Sequence, residues 1–362
     1  MPRLLPYRIS KIFSRLWAAL RKFVGIDSLF PITVHVYRGF GNKEYLFLRG
    51  RVLRDKTIIR RKNDTNWHNF INTAKRFISW EIEGAELEIN FKGCTFFLKT
   101  DTEGYFTLDE QLATPLSNLP DEEPFWRKAT IKVHSIPKRK VSFECQADII
   151  FPDQDSEFGI ISDIDDTILK TYVTSWMKWR MLYLTIIHNA ITRQTIESVT
   201  TFLQALRRGS KEKAYNPFFY ISNSPWNLYD LLEEFLKINK LPRGPILLRD
   251  FGLPYEEVPK TYKNHKHHHI VSILNLYPHL SFVLIGDSGE KDADIYQSIC
   301  AEYPNRIKAV YIRDVGSRKR AERVREILNC IPNTPCLLIS HYDKAIEHAQ
   351  EIGLIANSKT AE

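Results

Sequence analysis

Six segments between residues 31 and 150 alternate apolar and polar side chains: ITVHVYRGF (32–40), EYLFLRGRVL (44–53), ELEINF (86–91), CTFFLKTD (94–101), ATIKVHS (129–135) and VSFECQADIIF (141–151). A period of two puts alternate side chains on opposite faces of a strand, one toward a core and one toward water. Asp101, Thr102, Glu103, Gly104 and Tyr105 supply a turn into a further strand. The pattern predicts a small antiparallel β-sandwich. It carries no cluster of nucleophiles or metal ligands, so its expected role is interaction or positioning.

From about residue 152 the rhythm changes. Apolar runs now end abruptly in polar residues: FGIISDID (158–165), PFFYISNSP (217–225), SFVLIGDSG (281–289) and IKAVYIRD (307–314). Continuous apolar runs are the mark of strands buried on both faces. Between and after them lie helical patterns near 193–208, 226–239, 264–277, 291–302 and 319–329. Alternation of this kind predicts a doubly wound parallel sheet. The SNSPW stretch is expected to cap the helix at 226–239, with Pro225 near its first turn. The stretch VTSWMKWRMLYLTIIHNAI (173–191) is unusually apolar. It suits a core helix, or a lid whose Trp176, Trp179, Tyr183 and Leu184 meet an apolar substrate or bilayer.

Residues 1–26 stand apart. Ile9, Ile12, Phe13, Leu16, Trp17, Leu20, Phe23 and Val24 form an apolar stripe at helical spacing. Arg3, Arg8, Lys11, Arg15, Arg21 and Lys22 are the charges beside it, and no acid precedes Asp27. A basic amphipathic helix of this composition suits an anionic membrane surface. The same stripe equally suits docking on the protein's own surface or on another subunit.

Length divides the 362 residues into an expected N-terminal helix (1–28), a β-sandwich (29–152) and an α/β domain (153–362). The net charge of +8 favours anionic partners without choosing among nucleic acid, acidic lipid and phosphorylated substrates. Five scattered cysteines without a C-x-x-C favour a reducing, cytoplasmic setting over a disulfide framework. No apolar run reaches the length of a membrane span, and arginines interrupt the N-terminal apolar stretches as no signal peptide would allow.

The chemistry concentrates where the apolar runs end. After Phe158–Ile161 come Ser162, Asp163, Ile164, Asp165, Asp166 and Thr167. Carboxylates delivered so closely to one sheet edge repel unless they share a cation or a proton. The D-x-D-x-T spacing suits an aspartate nucleophile, a second aspartate as acid and base, and Mg²⁺ between them and a substrate phosphate. An acidic helix cap is the bland alternative. Three further segments belong to the same edge. Ser222, with Asn223 in its loop, suits a phosphate oxygen. Gly286-Asp287-Ser288-Gly289-Glu290-Lys291-Asp292 places Asp287 and Asp292 to complete a hard-oxygen Mg²⁺ site. The segment at His265-Lys266 brings a lysine able to neutralise charge on the phosphoryl group and nucleophile.

These motifs together resemble the haloacid dehalogenase-like phosphohydrolases. Within them, residues 155–355 resemble the family of the fungal actin-patch-associated phosphatidate phosphatase and its bacterial homologues. The resemblance is carried by SDIDDTILKT (162–171), NPFFYISNSPWNLYDLLEEFL (216–236), LPRGPILLRDFG (241–252), HK (265–266), YPHLSFVLIGDSGEKDADIY (277–296), AVYIRDV (309–315) and the closing HYDKAIEHAQEIGLI (341–355). It implies a Rossmann-like parallel sheet with helices on both faces. It further implies phosphatidate hydrolysis to diacylglycerol through an aspartyl-phosphate, with Asp163 as nucleophile and Asp165 as acid, then base. Asp287, the Asp163 carboxylate and the Asp165 carbonyl would hold Mg²⁺, supported by Asp292. Ser222 would bind phosphate and Thr167 would brace the loop, with Lys266 as the active-site lysine and Lys260 as the reserve. The family's Pro-Phe-x-Gly-like element is replaced by ITRQTIESVTTF (191–202), which leaves the lid and the substrate head group open.

Other readings compete. His265 and His269 have the i, i+4 spacing of zinc ligands but lack a third soft ligand nearby. The basic run GSRKRAERVR (316–325) suits a solvated helix face. A non-enzymatic membrane or scaffold adaptor would explain the basic helix and β-domain equally well. A phosphatase of a soluble or nucleic-acid ester shares the core chemistry, although no nucleic-acid module is visible.

Overall fold

The structure is a computed structural model that describes residues 31–54, 80–116, 125–152, 155–164, 190–211, 215–249 and 265–357. The expected helix at 1–28, the apolar stretch 173–189, and Asp165, Thr167 and Lys260 lie outside the described residues. The chain divides into two compact units. One comprises residues 1–36, 48–108 and 128–147; the other comprises 37–47, 109–127 and 148–362.

Nine strands form a predominantly antiparallel sheet: β1 (Ile32–Val36), β2 (Gly39–Gly41), β3 (Tyr45–Arg54), β4 (Trp80–Glu81), β5 (Glu86–Phe91), β6 (Cys94–Lys99), β7 (Tyr105–Gln111), β8 (Trp126–Ile136) and β9 (Arg139–Ile150). Their order is β1-β3-β2-β9-β8-β5-β6, with β4 and β7 paired to β3. The short β2–β9 pairing is parallel. Burial follows the alternation expected from the sequence: in β5, Leu87, Ile89 and Phe91 are buried while the intervening residues are not. In β3, Gly50 lies under the Phe106 ring, where an added Cβ would come within 2.4 Å of a ring carbon.

The second unit holds a six-stranded parallel sheet. Its strands are β10 (Gly159–Asp163), β11 (Phe218–Pro225), β12 (Ile246–Arg249), β13 (Phe282–Asp287), β14 (Ile307–Arg313) and β15 (Cys336–Ile339), in the order β12-β11-β10-β13-β14-β15. Its helices are α1 (Ala190–Arg208), α2 (Tyr229–Ile238), α3 (His265–Leu276), α4 (Asp292–Glu302), α5 (Arg318–Asn329) and α6 (Tyr342–Glu351). Ile270 and Ile273 of α3, Tyr296 and Ile299 of α4, and Val324 and Leu328 of α5 pack into one core with Ile161, Leu284, Val310 and Ile312. Tyr311 points the other way, as strand alternation requires. Its ring meets Phe202 of α1 edge-on at 5.2 Å, and its hydroxyl lies 3.0 Å from His348 Nδ1 of α6. Helices therefore cover both faces.

The strand order reverses beside β10. From β10 the chain steps to β11 and β12 on one side, then returns to β13 on the other. In sheets of this kind the crevice at such a reversal, beyond the carboxyl ends of the strands, is where ligands bind. Burial of both sheet faces explains why β10 and β13 are apolar throughout until their polar ends.

Candidate functional site

The carboxyl ends of three adjacent strands bring the polar residues together. Asp163 closes β10 and is in register with Ile221 of β11, so Ser222 follows one residue beyond. On the other side Ser162 pairs with Ile285 of β13, which ends two residues later at Asp287. Asp292 opens α4, and Lys266 is the second residue of α3. Asp163, Ser222, Lys266, Asp287 and Asp292 are all buried, and carboxylate oxygens of the three aspartates lie within 4.8 Å of one another.

Lys266 is the hub. Its ammonium lies 2.9 Å from Asp163 Oδ1, 2.8 Å from Asp292 Oδ1 and 2.8 Å from Glu290 Oε2. Burial alone would push Lys266 toward the neutral amine, but the carboxylates of Asp163, Asp292 and Glu290 outweigh it and hold the pKa well above that of an ordinary lysine. Burial raises the Asp292 carboxyl, and the neighbouring ammonium opposes that rise.

The loop after β13 is shaped by its own backbone. Asp287 Oδ1 accepts from the N–H groups of Gly289 (2.5 Å) and Glu290 (3.1 Å), and Asp287 N–H donates to Asp292 Oδ2 at 3.1 Å. Gly286 is required for the close approach of Asp292: an added Cβ would sit 2.5 Å from its Oδ2 and 2.7 Å from its Cβ. Ser222 Oγ accepts from Ser224 N–H at 2.9 Å, and Asn223 Nδ2 donates to Glu290 Oε2 at 2.7 Å. Pro225 stands at the N-cap of a short 3-10 turn (Trp226–Leu228) ahead of α2, without a side-chain capping bond. The SNSP stretch forms the end of β11, and Pro225 leads into the turn that precedes α2.

His265 is packed against this edge, with a backbone hydrogen bond at Ser222. Burial, and then the positive charge of Arg249, lowers its pKa to about 4. His265 and His269 meet edge-on at 4.3 Å. Among the described residues, the cluster with metal-ligand geometry is Asp163, Asp287 and Asp292, and no histidine joins it. The five cysteines are free thiols.

The donor set fits Mg²⁺. Three buried carboxylates offer hard oxygens at close quarters, and a single lysine does not neutralise them together with Glu290. Sequence reasoning placed Asp163, Ser222, Asn223, Lys266, Asp287 and Asp292 at one edge. It missed Glu290, whose only signal was an acid inside the loop already singled out, and the contact of His265 with Ser222.

Fold and site define an α/β protein with a buried acidic centre at the reversal of a parallel sheet, suited to a hard cation and a phosphate. Residues 158–314 match the family model described as the catalytic domain of phosphatidate phosphatase APP1. Phosphatidate phosphatase APP1 of Saccharomyces cerevisiae is 35% identical over 156 residues, covering 43% of this chain and 25% of the yeast protein. An uncharacterised Schizosaccharomyces pombe protein is 28% identical over 223 residues, covering 61% of this chain and 35% of that protein. The chain thus spans about a quarter to a third of the length of these curated relatives. Among solved structures, a carbohydrate acetylesterase from Xanthomonas citri aligns with a TM-score of 0.31 and 10% identity, over 89% of this chain and 75% of that one. A likeness that slight carries no weight.

Proposed function

We propose that the protein is a Mg²⁺-dependent phosphatase of the haloacid dehalogenase type that hydrolyses phosphatidate to diacylglycerol and inorganic phosphate. The observation that carries this reading is the convergence of Asp163, Asp287 and Asp292 around Lys266 where the sheet reverses. The name of the yeast relative supplies the lipid substrate.

In this reading an Asp163 carboxylate oxygen attacks phosphorus. The bond from phosphorus to the diacylglycerol oxygen breaks, and Asp165 gives that oxygen a proton. Water then attacks the aspartyl-phosphate, Asp165 takes back a proton, and Asp163 is released with inorganic phosphate. Lys266 holds Asp163 in place and balances its negative charge. Ser222 and Asn223 offer donors to phosphate oxygens, and Thr167 braces the first loop. Asp163, the Asp165 carbonyl and Asp287 would hold Mg²⁺ with support from Asp292; when bound, the ion supplies positive charge to the phosphoryl oxygens. No helix among the described residues is long and apolar enough to cross a membrane. In this reading the basic, apolar-striped segment 1–26 provides peripheral contact with an anionic lipid surface.

Acid-quenching a reaction with phosphorus-labelled phosphatidate tests the covalent step. A hydroxylamine-labile label on the peptide containing Asp163 is expected. A protein that turns over with no such label would contradict the aspartyl-phosphate.

A further inference from the structure

A lysine ammonium has three hydrogens to donate. Lys266 has three carboxylate partners, Asp163, Asp292 and Glu290, all at 2.8–2.9 Å. With three carboxylate oxygens packed around the ammonium, a substrate phosphate oxygen can come equally close only by displacing one of these ion-pair partners. Asp163 and Asp292 have no exposed side-chain surface, whereas 30% of the Glu290 side chain is exposed. Asp163 ends a central strand, and Asp292 is tied to the Asp287 backbone. Glu290 sits in the loop between β13 and α4 and reaches Lys266 from the solvent side.

The second contact of Glu290 points the same way. The oxygen that pairs with the Lys266 ammonium, Oε2, also accepts from Asn223 Nδ2 at 2.7 Å. One anionic oxygen bridging an ammonium and an amide donor is the arrangement a phosphate oxygen would adopt between those groups. We infer that Glu290 is an internal stand-in for the substrate phosphate, covering Lys266 and Asn223 in the resting protein and swinging out when a phosphoryl group arrives. This rests on the phosphatase reading above and adds a residue that sets how tightly phosphate binds. Glu290 protects the buried lysine from lesser anions, at a cost in phosphate affinity.

Orthophosphate binding to the Mg²⁺-loaded full chain tests this by calorimetry, with wild type and Glu290→Gln compared. Glutamine keeps the shape and one acceptor but removes the repelling charge. Orthophosphate is expected to bind roughly fivefold or more tightly to the variant, the size of one like-charge contact at about 4 Å in a water-screened site. The KM for phosphatidate is expected to fall likewise. If Glu290 instead only positioned Lys266, the variant would lose kcat and bind orthophosphate no better. That result overturns the inference and leaves the phosphatase reading standing. Orthophosphate bound by neither protein, with no ester turned over, overturns both. A Glu290→Ala variant that also binds orthophosphate more tightly separates loss of charge from any special property of glutamine.

Discussion

Lys266 Nζ lies 2.9 Å from Asp163 Oδ1, a buried ion pair that joins the first turn of α3 to the end of β10. Such a pair is poor evidence of stability by itself, since desolvation offsets much of the attraction. Removing one partner is another matter. Lys266→Met leaves Asp163 and Asp292 buried as anions without their ammonium, at a cost of about 3–5 kcal/mol. Urea denaturation at neutral pH is expected to show that loss. Added Mg²⁺ should restore part of it, because an ion bound only by the folded state stabilises by mass action. A variant as stable as wild type without metal would contradict this account of the hub.

Gly286 and Asp292 make the second strict contact. In Gly286→Ala the new methyl would meet the Asp292 carboxylate at 2.5 Å, so Asp292 or the loop must shift. Overpacking of this kind costs about 1–3 kcal/mol. Misplacing a group beside the reaction by about 1 Å costs on the order of 100-fold in rate. Turnover is expected to fall far more than the unfolding midpoint; equal turnover in the two proteins would show that Asp292 has room to move.

Asn216 fastens the amino ends of β10 and β11, at the sheet edge opposite the site. It is buried, and its side chain accepts from the N–H groups of Glu157 (3.0 Å) and Phe158 (3.3 Å) while donating to Leu206 O at 2.8 Å. It thereby ties the entry of β10 to the end of α1 just before β11 begins. Asn216→Ala strands these buried groups at about 1–3 kcal/mol each where water cannot replace the partner. A drop in the denaturation midpoint with unchanged slope is expected; a shift within experimental scatter would place water in the gap.

His265 gives stability a dependence on acid. Its folded-state pKa of about 4 lies below the ordinary value of 6.5. The unfolded chain therefore takes up the proton first, and stability is lost as pH falls from about 6.5 toward 4. Integrated between pH 7 and pH 5, this one group removes about 2 kcal/mol. His269, buried beside it and lowered for the same reason, acts in the same direction. Denaturation of wild type and His265→Phe at the two pH values measures the difference. A wild type no less stable at pH 5 would overturn the buried neutral imidazole.

The strands that align the site were legible because each is an apolar run long enough to stand out: β10, β11, β13 and β14 fall inside the segments expected from the sequence. The helices α1 to α5 were legible from their periodicity, with ends shifted by a few residues. The β12 run Ile246–Arg249 and the β15 run Cys336–Ile339 escaped notice because four residues flanked by proline are too short to show a period. Among the site residues, the aspartates announced themselves by spacing at strand ends. Lys266 was legible as a member of this cluster chiefly through the family resemblance, since a lysine among four histidines has no pattern of its own. Glu290 was not legible. Its partners Lys266 and Asn223 come from α3 and β11, and only folding brings those elements to the loop that carries it.

The central claim is tested most directly by phosphate release from phosphatidate in mixed micelles, measured for wild type and Asp163→Asn with Mg²⁺ or with EDTA. The account predicts release by the wild type that needs Mg²⁺. It also predicts a loss on the order of 10³-fold or more in the variant, as expected for removal of a nucleophile, with the circular dichroism spectrum unchanged. Turnover that persists in Asp163→Asn, or in wild type stripped of divalent metal, would contradict it.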